Sequence, residues 1–245
     1  MTLVRLAAFL CLVLTAANAS AENAPKISII IDDLGYRLDA GRRAIRLPGP
    51  ITFAVIPGTP RGRLLATEAH ASGKEVLVHL PLQAESDDTA SEPIGIRLDM
   101  NRQQFTSTFE RALSAVPYAI GINSHRGSLL TRHPGHMLWL MEEIRARDNL
   151  FFVDSYTTHH SVALRIADEA GVSARKRDVF LDPDREPATV VREFARMKQL
   201  ANERGSIIAI GHPYPTTLDY LEQELPKLAA EGYELVTVST LLGPQ

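Results

Sequence analysis

The sequence predicts an α/β fold, a (β/α) barrel of seven to eight parallel strands, from three observations. Short apolar runs rich in Ile, Val, Leu and Phe recur along the chain. Each is followed by a turn and then by an amphipathic stretch of helical period. Seven or eight such units occupy roughly 220 residues, which suits a closed ring better than an open sheet. Strand–helix alternation of this kind calls for parallel strands buried on both faces and joined by helical crossovers. An open doubly wound sheet is the alternative, because strand order is not written in a single sequence.

The chain has 245 residues and begins "MTLVRLAAFLCLVLTAANASA". One basic residue (Arg5), an apolar stretch and small residues near Ala19 and Ala21 read as a signal peptide over 1–21. An uncleaved anchor is the alternative reading. Residues 22–245 then form one domain, exported to the periplasm or cell envelope. Cys11 lies in the leader, so the mature chain has no thiol and relies on its core. Losing the leader, whose single charged residue is Arg5, takes the formal charge from −3 to −4. A mildly acidic chain with few aromatics argues against nucleic-acid binding. No later segment is long and apolar enough to span a bilayer.

The first strand is "ISIII" (27–31). It is followed by "TFAVI" (52–56), "EVLVHL" (75–80), "AIGIN" (119–123), "LFFVD" (150–154), "DVFLD" (178–182), "SIIAIGH" (206–212) and "ELVTV" (234–238). Helices are expected over 38–46, 60–72, 102–115, 134–147, 159–170, 187–203 and 216–230. In the third, Phe105, Phe109 and Leu113 share a face. In the last, Leu218, Leu221, Leu225 and Leu228 do, with Pro226 expected to kink it.

The chemistry sits where the apolar runs stop. Strand one ends in Asp32-Asp33, strand three in His79-Leu80-Pro81 and strand four in Asn123-Ser124-His125. Strand five ends in Asp154-Ser155, strand six in Asp182 and strand seven in Gly211-His212-Pro213. In a parallel barrel the C-terminal strand ends surround one opening, where such folds carry their sites. Asp and His from different strands meeting there form an N/O set suited to a divalent transition ion. Singly, each has a structural reading, Asp33 as a turn or cap residue and His79 as a core histidine. The other histidines read as structural. His133 and His136 flank a helix start as cap and surface residues, His159-His160 open another helix, and His70 fits an amphipathic face.

The order "IIIDDLG", "TFAVIPG", "GKEVLVHLPLQ", "GINSHRGS", "FFVDS", "RDVFLD", "IAIGHPYPTTL" resembles the divergent polysaccharide deacetylase family, exported or envelope proteins related to carbohydrate esterases. The resemblance runs from about residue 26 to 242 and implies a distorted (β/α) barrel. It also implies roles: Asp32 as base, Asp33 and His79 as metal ligands, and His212 as general acid. The family's second imidazole, four residues after His79, is here Gln83, and its arginine–proline–tyrosine segment is replaced by "NSHRGS". His125 is therefore the candidate third ligand, from the neighbouring strand. Gln83, Asn123, Arg126, Asp154 and Tyr214 are candidate substrate contacts. The implied cofactor is a divalent metal, zinc first, with cobalt or manganese as alternatives. The implied reaction is removal of N-acetyl groups from an amino-sugar polysaccharide or oligosaccharide. A non-catalytic barrel that binds cell-wall glycan or an envelope partner is the competing reading.

Overall fold

The computed structural model describes residues 24–86, 92–147 and 150–242. The predicted signal peptide lies outside these residues.

The strands are β1 (Lys26–Leu34), β2 (Thr52–Val55), β3 (Glu75–Leu82), β4 (Ala119–Arg126) and β5 (Phe151–Asp154), then β6 (Ala174–Lys176), β7 (Val179–Phe180), β8 (Ser206–Gly211) and β9 (Glu234–Leu235). The helices are α1 (Leu38–Ile45), α2 (Gly62–Ala71), α3 (Arg102–Ala115), α4 (Pro134–Arg145), α5 (Ala163–Ala170), α6 (Pro187–Arg204), α7 (Pro215–Glu224) and α8 (Val238–Leu242). Local sequence accounts for several boundaries. Asn101 and Gln104 form a reciprocal capping box at the start of α3. Proline stands in the first turn of α4, α6 and α7, where no N–H is missed. Gly171 and Gly205 end α5 and α6 in left-handed conformations.

Every ladder is parallel, and the strand order is β6-β5-β4-β3-β2-β1-β8-β7, with β9 beside the start of β1. Followed around the ring, the numbers advance without reversal. That is barrel order, whereas a doubly wound sheet reverses at a switch point. No ladder joins β6 to β7 among the described residues, so the curled half-barrel has a seam there.

Four element assignments need correction. The sixth run contributes β7 alone, and the preceding edge strand β6 is polar ("ARK"), so hydrophobic pattern does not reveal it. "ELVTV" forms strand only at Glu234–Leu235, and helix α8 begins at Val238. The helix expected from 159 starts at Ala163, leaving His159 and His160 in the turn before it. At the C-terminal end, α7 stops at Glu224 and Pro226 sits in a tighter helical turn over Leu225–Lys227, so the proline ends the α-helix rather than kinking it.

Two apolar layers follow from strand alternation. Ile27, Ile29, Ile31, Phe53, Val76, Val78 and Phe152 pack outward against the helices. Ile30, Ala54, Leu77, Val153, Ile208 and Ile210 fill the barrel interior. Two residues further along the same inward faces stand Asp32, His79, Ser155 and His212. The interior layer is thus the floor of the site.

Candidate active site

Asp32 follows Ile30 inward, and in an unbroken strand Asp33 would face the helices. The register of β1 against β2 shifts between Ile31 and Leu34, and Asp33 has φ 59°. This bulge turns the second carboxylate onto the rim. Aspartate tolerates the left-handed region better than most residues. Gly35 follows at φ +137°, where a Cβ would lie 2.0 Å from Thr59 Oγ1, so the "DDLG" turn has no room for a side chain.

β3 and β4 bring in the imidazoles. His79 pairs in register with Asn123, and Pro81 with His125, placing Asn123 and His125 on the face that His79 uses. The Asn123 amide Nδ2 donates to Asp32 Oδ1 at 2.8 Å. Its carbonyl therefore accepts from His79 Nδ1, also at 2.8 Å. With the proton on Nδ1, His79 presents a bare Nε2 to the rim. His125 Nδ1 stands 3.0 Å from that nitrogen and 3.1 Å from Asp33 Oδ1. The third side of the triangle, His79 Nε2 to Asp33 Oδ1, is 3.3 Å.

These three atoms fit a divalent ion. Ligands held about 2.0–2.1 Å from a tetrahedral ion stand about 3.3 Å from one another. Asp33 Oδ1 is buried without a hydrogen bond of good geometry, an orphan that a cation would satisfy. The donor set, two imidazoles and a carboxylate, is of the N/O kind that holds divalent transition ions. Burial alone would raise the Asp33 pKa, but His125 and His79 hold it well below the usual carboxylate range. Burial pulls the other way on His125, yet Asp33 and Glu92 push it up to about 9. A field that favours a proton at this point also favours a metal cation.

Asp32 and His212 flank the trio. Asp32 is 2% exposed, its Oδ2 is 3.5 Å from His79 Nε2, and burial raises its pKa against the pull of the nearby histidines. His212 Nδ1 donates to Asp182 Oδ1 at 2.9 Å, and Asp182 Oδ2 accepts the His212 backbone N–H and the Thr217 hydroxyl. This fixes the ring so that Nε2 faces the rim, 3.7 Å from Asp33 Oδ2. Burial works against protonation of His212, but Asp182 outweighs it and the pKa is raised.

A cavity of about 180 Å³ opens over this group, with Asp32, His79, His125, Arg126, Arg177 and His212 in its lining. Among the predicted contacts, Arg126 lines the cavity and Tyr214 stacks on His212 with ring centroids 5.2 Å apart. Three others lie elsewhere. Asn123 is fully buried behind His79 and Asp32 and positions both through its amide. Asp154, one place out of phase with Val153, is turned from the cavity and accepts from Tyr156 N–H and the Ser161 hydroxyl. Gln83 accepts the Leu98 N–H at 2.8 Å, pinning the segment beyond it.

Sequence reading gave no role to Asp182, Glu92 or Arg177. Asp182 was within reach of the inward parity of its strand, as was Ser155 in place of Asp154. Glu92, 3.5 Å from His125 Nε2 and bonded to the Tyr36 hydroxyl, comes from a loop without periodicity. Of the remaining histidines, His133 caps α4 as expected, and His70 is exposed and stacked on Tyr118. His136, expected at the surface, is 6% exposed and lies against Phe105 and Trp139. Among the described residues no helix is long and apolar enough to cross a membrane.

Residues 29–242 match the family described as divergent polysaccharide deacetylase. The chain belongs to that family. It is 39% identical over 226 residues to the uncharacterized protein YibQ of Escherichia coli K12, covering 92% of this chain and 70% of the relative. An uncharacterized protein of Agrobacterium tumefaciens superposes with a TM-score of 0.85 at 19% identity, over 89% of each chain. The catalytic domain of a peptidoglycan N-acetylglucosamine deacetylase from Eubacterium rectale superposes with a TM-score of 0.57 at 17% identity, over 91% of each. Both share the fold. In this divergent deacetylase-family chain, the second imidazole beside Asp33 comes from β4, across the ladder from His79.

Proposed function

We propose that this protein is a metal-dependent hydrolase of amide bonds that removes N-acetyl groups from an amino-sugar polysaccharide of the cell envelope. The observation that carries the reading is the convergence of Asp33, His79 and His125 within ion-binding range, with Asp32 on one side and His212 on the other. Family membership supports it, and so does the fold shared with a peptidoglycan deacetylase domain. The apolar leader with its small-residue cleavage site supports export to the periplasm.

Asp33, His79 and His125 would hold the ion, zinc best matching two nitrogens and one oxygen. Such an ion polarises the acetyl carbonyl and acidifies the attacking water. Asp32 accepts the water's proton. Burial lifts its basicity, and the Asn123 hydrogen bond on Oδ1 leaves Oδ2 directed at the site. In its charged form His212 keeps the Nδ1 proton in the hydrogen bond to Asp182 and carries a second proton on Nε2, which passes to the departing sugar amine. Asp182 acts through His212, holding its orientation and favouring its charged form. The place of Arg126 in the cavity lining and the stacking of Tyr214 on His212 support their roles as sugar contacts.

The test is acetate release from N-acetylated oligosaccharides and peptidoglycan fragments by the purified protein with zinc, cobalt or manganese added. Release that Asp32→Asn abolishes supports the reading. Silence on every substrate and metal, with glycan binding retained, would assign a non-catalytic glycan-binding barrel instead.

A further inference from the structure

The cavity over the trio has a neighbour. Arg177 and Phe180 line it, and the same two residues line a groove of about 490 Å³. The two hollows abut across these side chains, at the seam where β6 and β7 do not pair. A closed barrel would place a strand ladder in that position. The groove is of the size that small-molecule ligands occupy, roughly 300–1,000 Å³.

Its lining is basic. Lys176, Arg177, Arg196 and Arg204 stand against Asp178 and Glu193. The carboxylates are already engaged, Asp178 with Arg204 at 2.8 Å and Glu193 with Arg196 at 3.1 Å and Arg192 at 3.2 Å. Asp178 also accepts the Ile208 N–H. Among the described residues, Lys176 makes no ion pair, and its ammonium lies 4.3 Å from the centre of the Tyr156 ring. Arg177 likewise makes none. Its Nε donates to Ser155 O at 2.6 Å and its Nη2 to Tyr156 O at 3.2 Å, and the guanidinium lies 4.5 Å over Phe180. Asp32 and Asp154 act on it only through space.

Arg177 is therefore a half-buried cation, fixed by two carbonyls and a ring, with Nη1 uncommitted among the described residues. A guanidinium so held is pre-organised for a planar oxyanion. The whole chain is mildly acidic, so this is a local field and not general basicity.

We propose that the seam groove is a subsite for a carboxylate carried by the glycan beside the N-acetylated sugar, with Arg177 and Lys176 as its contacts. The inference deepens the deacetylase reading and rests on it for the glycan nature of the ligand. The substrate is then an acidic amino-sugar polymer, bearing a uronic acid or a lactyl ether, and not a neutral one.

The experiment is calorimetric titration of the zinc-loaded protein with an N-acetylated oligosaccharide bearing a uronic acid, and with the same oligosaccharide after reduction of the carboxylate to an alcohol. The acidic form is expected to bind about tenfold tighter or more. The advantage should shrink with added salt. It should also fall in Lys176→Met, which leaves the Arg177 bonds in place, and disappear in Arg177→Gln, whose folding is checked by its melting curve. Equal affinity for the two forms, or no binding of either, overturns the subsite. Displacement by inorganic phosphate without any preference for the carboxylate overturns the carboxylate assignment in favour of a phosphate-bearing glycan. Acetate release from the acidic and the reduced oligosaccharide is followed separately. Its absence from both defeats the deacetylase reading, while the carboxylate preference stands or falls on binding alone.

Discussion

His79 Nε2 and His125 Nδ1 lie 3.0 Å apart on adjacent strands, both beside Asp33 Oδ1. Because His79 Nδ1–H donates to the Asn123 carbonyl, the facing nitrogens hold at most one proton between them. A cation common to both and to the carboxylate satisfies all three at once. Asp33→Ala is therefore expected to lower zinc affinity by about 10²-fold or more, whereas Asp32→Asn retains the metal and loses turnover. Metal content by mass spectrometry beside acetate release distinguishes the two. Undiminished zinc in the Asp33→Ala protein would defeat the division of labour between the paired aspartates.

Asn123 sets the tautomer of His79 and holds Asp32 with the same amide. Asn123→Leu keeps approximate volume and removes both hydrogen bonds. Zinc affinity should fall about 10–100-fold, the usual effect of losing a partner of a ligating histidine. A competition titration against a chelator measures it, and an unchanged affinity would show that His79 does not need this partner.

Much of the site is legible from two-residue alternation. Ile30, Leu77 and Ile210 lie in the barrel interior, and counting two further gives Asp32, His79 and His212. The same count favours Ser155 over Asp154, which the end of the apolar run obscured. Asp33 breaks the count, since its place on the rim depends on a left-handed backbone that "DDLG" permits but does not dictate. The seam was hidden for another reason. β6 is an edge strand of polar residues, and its pairing with β5 leaves no hydrophobic trace.

Gly35 has no substitute. Ala at this position meets Thr59 Oγ1 and must also hold φ +137°. Gly35→Ala should destabilise the fold by about 2 kcal/mol or more, read from urea unfolding, and should loosen zinc by displacing Asp33. A variant of wild-type stability would show that the turn can rebuild itself.

Glu143 ties α3 to α4. Its carboxylate accepts from Thr106 at 2.6 Å and pairs with Arg147 at 2.9 Å and Arg102 at 3.1 Å. Burial alone would raise its pKa, but Thr106 and the two arginines outweigh that and lower it. Its stabilisation is therefore fully present above the unfolded glutamate pKa and is lost as pH falls through the lower folded value. Glu143→Gln should cost about 2 kcal/mol at pH 7, with the gap to wild type narrowing under acid conditions. Unfolding curves of both proteins at several pH values check this. A gap that widens on acidification would contradict the sign.

The break between β6 and β7 also bears on how the molecule breathes. β1 is laddered by β8 from Lys26 to Ile31 on one side and by β9 and β2 on the other, while β6 and β7 are short and, among the described residues, each is laddered on one side only. Opening should begin at this edge, so deuterium is expected to reach the amides of β6 and β7 well before those of β1. Arg177, bonded to Ser155 O and Tyr156 O, acts there as a clasp, and a bound anion that immobilised it would slow that exchange from a distance.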